Sequence, residues 1–572
     1  MAGTHCPGKG VNKPRKAFAA AGCGEYRADM TERWYQKAII YCLDAETFQD
    51  SDGDGAGDFA GLTRRLDYLA RLGVDCLWLP PIHPSPGRDG GYDITDYYNV
   101  HLRLGTLGDF AVFLQAADSR GIRVIIDLVV NHTSDKHPWF QSARSSADSP
   151  YRDWYVWSER EPADRRQGIV FPGEQKETWT YDRTAGAWYY HRFYRFQPDL
   201  NISNPRVRDE IKKIASFWLQ LGVAGFRMDA VPFLIESTNP DGSMGDKDFG
   251  YLTELRQHVQ WQRRDALLLA EANVDPDQLT TYFGDSGGSA DRLHMLFDFL
   301  LNGQIMLALA RRDPEPVIEA LRDTPPLPAG SQWATFLRNH DEVDLSRLTA
   351  DQRQEVFAEF GPQEDMRLYG RGIRRRLAPM LGGDQRRIRL AYSLQFTLRG
   401  TPVIRYGEEI GMGDDLSLPD REAIRTPMQW SQLPNAGFST AAPGQLVCPV
   451  VTDGTFGYGT VNVRAQRNDP GSLLSWFEQM MRTLRECPEI STGSCTHVDV
   501  PVPPGVLAHR ADDTTGTMLF LHNLDDQDAA VDLSSLADVG ESPEEMLADR
   551  DYGDIDLAKL AVGGYGYRWI RL

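Results

Sequence analysis

Short apolar runs alternate with amphipathic segments along most of the chain. The runs are too short for helices and are rich in leucine or β-branched residues, as strands are. Such alternation predicts βα units around a parallel sheet. The candidate strands are residues 38–43, 75–79, 124–130, 225–228, 267–269, 295–299, 334–337 and 403–404. Because eight strands close a barrel, the predicted fold class is α/β, a (β/α)8 TIM barrel.

Between the strands, the spacing of apolar residues predicts amphipathic helices. The clearest are residues 62–72, 107–120, 205–221 and 251–264.

The stretch from residue 132 to residue 204 interrupts this rhythm. It is crowded with Trp, Tyr, Gly, Pro and charge and is too long for an ordinary βα loop, so we expect an inserted subdomain after the third strand. After about residue 490, short alternating segments predict a C-terminal antiparallel β-sandwich domain. The predicted organisation is a disordered tail at 1–30, a barrel at 31–131 and 205–490, an insertion at 132–204 and a β domain at 491–572.

Charge and cysteine content narrow the class of partner. The chain has 61 Lys and Arg against 81 Asp and Glu, a net charge of −20, which disfavours nucleic acid and membrane surfaces and favours a neutral small substrate. No apolar run is long enough for a transmembrane helix, and the apolar stretch at 17–21 is too short for a secretory signal. Seven scattered cysteines indicate reduced thiols and a cytoplasmic location.

Three carboxylic residues, Asp229, Glu271 and Asp341, follow predicted strands. Taken singly, each is as well explained by a helix cap or a surface charge. In a barrel, however, the carboxyl ends of the strands meet at one mouth, so all three should face one cavity. Glycosidic bond cleavage needs one carboxylate as nucleophile and one carboxylic acid as proton donor. Crowding should raise the pKa of the acid, and Arg227 should keep the nucleophile ionised.

Several motifs resemble signature blocks of the α-amylase family, glycoside hydrolase family 13. They are Asp127-Leu-Val-Val-Asn-His132, Gly225-Phe-Arg-Met-Asp-Ala230, Ala270-Glu-Ala-Asn273, Arg338-Asn-His-Asp-Glu342 and, in the insertion, Gln197-Pro-Asp-Leu-Asn201. The resemblance covers about residues 34–430. It implies that Asp229 forms a covalent glucosyl-enzyme, that Glu271 acts as acid and then base, and that Asp341 grips and distorts the sugar.

The resemblance also implies a set of substrate-binding residues. His132 and His340 would hydrogen-bond the sugar, although each histidine alone reads as a structural residue. Arg405 and Glu342 would either help to close the pocket or form a static pair. The full set is Tyr92, Asp93, His132, Gln197, Arg227, Asn273, His340, Glu342 and Arg405.

Alternating aspartates around glycines predict a loop for a hard cation. The loop lacks the glutamate and helices of an EF-hand, but its four aspartates would repel one another without a cation, so Ca²⁺, or else Mg²⁺, is expected. The ligands would be Asp50, Asp52, Asp54, Ala56 and Asp58.

A second Ca²⁺ site, bracing the insertion, is implied by the resemblance alone. Glu236 in this set could instead be an exposed helix charge. The implied ligands are Asn131, Asp199, the carbonyls of Phe233 and Leu234, and Glu236. No organic cofactor is expected.

Within the family, the chain is most similar to members that isomerise maltose to trehalose. Asn273 and Glu342 match positions that cover the glucosyl site in those members. Isomerisation requires released glucose to stay, turn and attack the glucosyl-enzyme before water does. The supporting phrases are Asp229-Ala-Val-Pro-Phe-Leu234, Tyr282-Phe-Gly-Asp285, Tyr406-Gly-Glu-Glu-Ile-Gly-Met412 and Arg425-Thr-Pro-Met-Gln-Trp430.

Other features keep alternatives open. Phe233 stands in place of an expected tyrosine, residues 235–240 differ from the pattern, and no aromatic residue stands beside Asn273. An α-glucosidase or a transglycosylating α-glucosyltransferase on short α-glucosides is therefore the alternative. A catalytically inactive binding relative is disfavoured, because all three carboxylates are present. The expected partner is maltose, trehalose or a similar α-glucoside. Whether the protein forms a homo-oligomer stays open.

Overall fold

Eight parallel strands close into the predicted barrel. The first strand pairs with the second and the eighth, and the other neighbours follow chain order, which is the (β/α)8 topology. Each strand coincides with one of the predicted apolar runs. In chain order, the first to eighth strands are Ile40–Cys42, Cys76–Leu79, Arg123–Leu128, Gly225–Met228, Leu267–Ala270, Met295–Phe297, Gln332–Phe336 and Thr401–Arg405.

The computed structural model describes residues 33–239, 241–284, 290–539 and 543–572. The predicted tail at 1–30 lies outside these residues. Trp34–Leu572 form one compact unit, so the predicted domain boundaries stay predictions. Within the described ranges, no helix is long and apolar enough to cross a bilayer.

The barrel strands are apolar on both faces because helices cover the outside and side chains fill the inside. Inside the barrel, the ring of Trp78 lies 5.2 Å from that of Phe297, which in turn packs edge-on against Phe336 at 5.5 Å. The interior is therefore a packed core, and the buried polar residues Asp127 and Arg227 lie within its strands.

Helix bounds follow from local caps. Asn204 accepts a hydrogen bond from the backbone N–H of Arg206 and caps the start of the helix Pro205–Leu221. Gly222 caps its end. The helix predicted at 62–72 is divided at Arg65. The longer helices are Leu107–Asp118, Pro138–Ser145, Pro205–Leu221, Phe249–Gln262, Phe299–Arg311, Glu315–Asp323, Ala350–Phe360, Gln385–Thr397 and Leu473–Glu486. The shorter ones are Ala45–Phe48, Phe59–Arg64, Leu66–Leu72, Val231–Leu234, Pro276–Leu279, Leu377–Met380, Val463–Arg467 and Pro488–Thr492.

Small sheets stand on the loops that follow the barrel strands. The insertion after the third strand carries Trp157–Ser158, Trp179–Asp182 and Ala187–Tyr190. A hairpin after the fourth strand pairs Glu236–Thr238 with Met244–Lys247. A second insertion, after the seventh strand, carries Val343–Asp344, Arg367–Leu368 and Gly372–Ile373. The sequence did not predict the last one, because two-residue strands are too short to show alternation.

The C-terminal strands form the predicted antiparallel sandwich. A five-stranded sheet faces a two-stranded one, and Val506, Leu519 and Ile570 belong to the apolar layer between them. In sheet order, the larger sheet is Ser494–His497, Val506–Asp512, Thr517–Asn523, Tyr567–Arg571 and Glu544–Ala548, and the smaller is Ala529–Val531 with Leu560–Val562.

The other face of the larger sheet packs on a barrel helix through one buried hydroxyl. Ser393 Oγ accepts a hydrogen bond from Trp569 Nε1 at 2.8 Å and lies 2.9 Å from His522 Nε2. Thr397 on the same helix places its carbonyl 3.3 Å from His509 Nε2. Since Ser393 and His522 are fully buried, these polar atoms have no access to water if the contact is lost.

We therefore expect Ser393→Ala to destabilise the protein by about 1–3 kcal/mol, the usual cost of leaving buried polar groups unpaired. The control is Ser145→Ala, an exposed serine, for which we expect less than about 0.5 kcal/mol. Urea unfolding followed by tryptophan fluorescence measures both. Equal midpoints for the two variants would contradict the role of this hydroxyl.

Candidate active site

A cavity of about 600 Å³ lies where Asp229, Glu271 and Asp341 meet, and all three carboxylic residues line it. This volume is in the range of small-molecule sites. Parts of both insertions also line the cavity, including Phe171 from the first and Arg371 from the second. The structure thus brings together the three carboxylates that the sequence predicted.

Strand register sets the position of two of the carboxylates. Asp229 directly follows Gly225–Met228, and Glu271 directly follows Leu267–Ala270, which pairs with that strand residue for residue. Ala230 then adopts a left-handed conformation, φ 50°, which turns the chain sharply after Asp229.

The guanidinium of Arg227 connects the acidic groups. It donates to Asp229 Oδ1 at 2.7 Å, to Asp127 Oδ2 at 3.0 Å and, from its other terminal nitrogen, to Glu271 Oε2. Arg227 is almost completely buried, so its charge depends on these partners. The predicted neighbouring cation of the nucleophile is therefore in place, and it also contacts the acid.

The two central carboxyls differ in pKa. Burial raises the pKa of Asp229 to about 6, although Arg227 opposes the shift. Burial raises the pKa of Glu271 to about 7, with Arg227 opposing and Asp229 and Asp341 adding to the rise. Arg227 therefore only partly offsets the effect of burial on Asp229. Glu271 therefore keeps its proton to a higher pH than Asp229, which ionises first, and this order fits their predicted roles as acid and nucleophile.

Asp341 is held as an anion by two arginines. Arg421 and Arg425 approach its Oδ1 at 3.0 and 3.1 Å. Burial alone would raise the pKa of Asp341, but Arg421, together with Arg425, lowers it below its usual range. Arg338 also donates to the backbone carbonyl of Asp341 at 2.7 Å, which fixes the loop after the seventh strand. Arg421 lies outside the motifs that identified the other site residues.

Aromatic and imidazole side chains lie beside the carboxylates. Tyr92 donates to Asp127 Oδ2 at 2.6 Å, and its hydroxyl lies 2.7 Å from His340 Nε2. His132 Nε2 lies 3.1 Å from the carbonyl of Tyr92. Tyr92 and His132 line the cavity, whereas His340 is buried and does not line it, and its Nε2 lies 3.3 Å from Asp341 Oδ2. Their hydrogen bonds to sugar stay predictions.

Asp93 is a wrong prediction for substrate contact. Its carboxylate accepts from the hydroxyl of Ser85 and forms an ion pair with Arg88 at 3.0 Å, and it does not line the cavity. Asp89, four residues earlier, lines the cavity instead, and Gln197 donates to it at 2.8 Å. Gln197 itself does not line the cavity, so it acts by holding Asp89. Nothing in the local pattern distinguishes the two aspartates.

The predicted role of Arg405 at the cavity is also wrong. It is buried and pairs with Asp44 rather than with Glu342, and it does not line the cavity. Glu342 does line the cavity and accepts from Arg421 at 2.8 Å. The proposed pair between Arg405 and Glu342 is therefore not formed, because each side chain has a nearer partner of opposite charge.

Asn273 lines the cavity. Its amide nitrogen donates to Asp344 Oδ2 at 3.1 Å, and its amide oxygen accepts from Arg347 at 2.5 Å. Asp344 and Arg347 belong to the second insertion, which the sequence did not predict. Asn273, in the loop after the fifth strand, thus forms hydrogen bonds with the second insertion, which follows the seventh strand.

The aspartate loop contains a group of carboxylates suited to a metal ion. Asp50, Asp52 and Asp58 place oxygen atoms within 4.8 Å of one another, whereas Asp54 is not part of this group. Asp50 Oδ2 accepts from the hydroxyl of Ser439 at 2.6 Å, which anchors the loop. An all-oxygen donor set fits Ca²⁺ or Mg²⁺. Ala56 lies in the same loop, where its N–H donates to Asp54.

The second implied metal site surrounds a cavity of about 10 Å³, the size of one water molecule or ion. Asn131, Asp199, Phe233 and Glu236 line it, but Leu234 does not. Asn131 donates to Asp199 at 3.2 Å. Glu236 is only partly exposed and pairs with Arg192, so it is not the solvated helix charge of the alternative.

Comparisons with known proteins agree with this geometry. The family profile described as the catalytic domain of alpha amylase matches residues 41–360 and 374–493. The chain is 41% identical over 550 residues to the trehalose synthase/amylase TreS of Mycolicibacterium smegmatis, covering 94% of this chain and 92% of that protein. It is 30% identical over 560 residues to an oligo-1,6-glucosidase of Heyndrickxia coagulans, covering 88% and 94%. A solved trehalose-6-phosphate hydrolase of Bacillus licheniformis superposes with a TM-score of 0.76 at 25% identity, covering 94% and 99%.

The unequal pKa values predict a bell-shaped pH profile. We expect kcat/KM for an α-glucoside to rise with pH around 6, as Asp229 ionises, and to fall above about 7, as Glu271 loses its proton. In Glu271→Gln, assayed on 4-nitrophenyl α-glucoside, whose leaving group needs no proton, the descending limb should disappear. A descending limb that survives in this variant would rule out Glu271 as the acid.

Proposed function

The chain belongs to the α-amylase family of glycoside-active enzymes, and on that premise we propose that it interconverts maltose and trehalose through a covalent glucosyl-enzyme. The observation that carries the proposal is the set of three carboxylates around one cavity, with both insertions at its rim. The relatives named trehalose synthase are 40–41% identical to this chain, against 30% for the relative named oligo-1,6-glucosidase, which supports this reaction over others of the family.

The first step is cleavage of the α-glucoside. Asp229 attacks the anomeric carbon while the bond from that carbon to the glycosidic oxygen breaks, and Glu271 gives its proton to the departing oxygen. Arg227 stabilises both carboxylates as the charge moves from one to the other. Asp341, held ionised by Arg421, binds sugar hydroxyls and favours the positively charged transition state.

The second step decides the product. Glu271, now a carboxylate, takes the proton from the anomeric hydroxyl of the released glucose, whose oxygen attacks the glucosyl-enzyme and frees Asp229. Attack by water at the same carbon gives hydrolysis instead. Isomerisation therefore needs a cavity that retains glucose, and the two insertions that border the site supply its walls.

The second candidate is an α-glucosidase. It is favoured by the relative named oligo-1,6-glucosidase and by the partly polar wall near Asn273, where an acceptor would bind. The two reactions share every catalytic carboxylate and differ only in the fate of the glucosyl-enzyme.

The test is to incubate the protein with maltose and, separately, with trehalose, and to follow all sugars by anion-exchange chromatography. We expect each disaccharide to appear from the other with glucose as a minor product. Asp229→Ala should lower turnover by about 10⁴-fold or more, while the exposed Asp118→Ala should leave it unchanged. Glucose as the main product would instead assign the chain to the α-glucosidases.

We propose further that the group Asp50, Asp52 and Asp58 binds one structural Ca²⁺, or Mg²⁺, and that the small cavity at Asp199 binds a second Ca²⁺. The close oxygen atoms and the buried, amide-paired carboxylate support these assignments. The ions would hold loops in place and take no part in bond breaking.

The free thiols among the described cysteines also support a cytoplasmic location.

Calcium should raise the melting temperature of chelator-treated protein by a few degrees, because an ion at 100 times its Kd stabilises the folded state by about 2.7 kcal/mol. Asp52→Asn should reduce this response. Asp54→Asn is the matched control, since Asp54 lies in the same loop but outside the group of close carboxylates. Scanning calorimetry measures the shift, and a wild-type protein indifferent to Ca²⁺ and Mg²⁺ would contradict the proposal.

A further inference from the structure

Five basic side chains line the catalytic cavity, and four of them are arginines paired with carboxylates. The pairs are Arg192 with Glu236, Arg347 with Asp275 at 2.5 Å, Arg371 with Asp344 at 3.6 Å and Arg421 with Asp341 at 3.0 Å. The fifth basic residue, Lys247, differs from them, because it has no ion pair with any residue that the structure describes.

The ammonium group of Lys247 has one weak hydrogen bond. Its Nζ donates to the hydroxyl of Tyr282 at 3.4 Å, which is longer than the usual range for such a bond. Burial, with Glu236 nearby, raises the pKa of Tyr282, so this phenol stays neutral and does not balance the lysine charge. Glu236 lies opposite Lys247 in the hairpin ladder, but its carboxylate is bound to Arg192. Since an ammonium has three donors, at least two of those on Lys247 have no acceptor among the described residues.

Lys247 lies beside the loop that carries the catalytic acid. It ends the second strand of the hairpin after the fourth barrel strand, and its partner Tyr282 belongs to the loop after the fifth strand, which begins at Glu271. Asn273 and Gln278 of that loop line the cavity together with Lys247. Because Glu271 must reach the glycosidic oxygen, the sugar beyond that oxygen, which is the leaving glucose, should lie next to the residues that follow Glu271.

The free donors of Lys247 complement the acidic groups of the cavity. An ionised carboxylate only accepts hydrogen bonds, so it binds a sugar through the hydrogens of its hydroxyls. Lys247 only donates, so it binds a sugar through the oxygens of its hydroxyls. Its ammonium group is also a compact charge on a flexible stem, whereas the guanidinium of an arginine is a rigid, planar fork. A lysine can therefore keep a hydrogen bond to a sugar that changes orientation.

We propose that Lys247 binds the glucose released from maltose and keeps a hydrogen bond to one of its hydroxyls while the sugar turns its anomeric hydroxyl toward Glu271. This inference rests on the proposed function, within which Lys247 is the residue that binds the accepting glucose. Without the lysine, glucose leaves more readily, and water reacts with the glucosyl-enzyme in its place. The first chemical step, which Asp229 and Glu271 perform, does not require Lys247.

Two variants separate the charge of Lys247 from its mobility. Lys247→Met removes the donors and keeps an unbranched side chain of similar length. Lys247→Arg keeps the positive charge but presents it on a planar group, so we expect it to restore glucose binding more than isomerisation. Lys136→Met is the matched control, because Lys136 is exposed and does not line the cavity.

Two rate measurements test these variants. The first is the ratio of hydrolysed to isomerised maltose. The second uses 4-nitrophenyl α-glucoside, whose leaving group has no sugar hydroxyl, and gives kcat/KM and the concentration of added glucose at half-maximal glucosyl transfer. For Lys247→Met, we expect the ratio and this concentration to rise about tenfold, as for the loss of a hydrogen bond from a charged group. The value of kcat/KM should stay within about twofold, and the control should match the wild type.

A third measurement tests whether the contact is direct. Monodeoxyglucoses, each lacking one hydroxyl of glucose other than the anomeric one, replace glucose as the added acceptor. In the wild type, at least one of them should need an about tenfold higher concentration than glucose for half-maximal transfer, because the bond to Lys247 is lost. In Lys247→Met, this difference should disappear, since the donor that distinguishes the two sugars is already absent.

The two hypotheses fail separately. If the wild type makes trehalose and Lys247→Met matches it in the product ratio and in the half-maximal glucose concentration, Lys247 does not bind the accepting glucose and the proposed function stands. If the wild type only hydrolyses maltose, the proposed function fails, and transfer to added glucose alone decides the role of Lys247. Absence of any transfer by the wild type would overturn that role. A fall in kcat/KM equal to the change in ratio would also overturn it, because the variant would then disturb the catalytic groups themselves.

Discussion

A buried guanidinium, that of Arg227, holds together acidic groups from three neighbouring barrel strands. Asp127 lies on the third strand, Asp229 follows the fourth and Glu271 follows the fifth. Three carboxylates packed so closely would otherwise repel one another, and the buried cation would otherwise lack partners. Their mutual pairing fixes the relative positions of nucleophile and acid, and every later feature of the site is arranged around that fixed centre.

Above this centre, the site is built by loops that lie far apart in sequence. Arg421 pairs with Asp341 and packs beside the ring of Phe171 in the first insertion. Asn273 is bound to Asp344 in the second insertion. The barrel strands thus position the carboxylates, and residues of both insertions line the cavity around them. Because function lies in a site built on the fold, one barrel can host different reactions when its loops differ.

Much of the barrel could be predicted because its signals are local. Eight apolar runs mark the eight strands, and catalytic residues stand at the ends of such runs in the order of the family's motifs. The prediction was wrong where a choice depended on neighbours from other loops. Asp93 and Asp89 are both acidic and close in sequence, yet Arg88 pairs with the first, while Gln197 turns the second toward the cavity.

The sequence by itself determined the fold class and which three carboxylic residues meet at the cavity, because strand periodicity and motif order are properties of contiguous residues. The tertiary structure alone decided the pKa order of Asp229 and Glu271, since burial and the shared Arg227 set it. It also decided the contact between Tyr369 and Phe171, which lie about two hundred residues apart. Such contacts depend on how separate loops pack over the barrel, which no local pattern specifies.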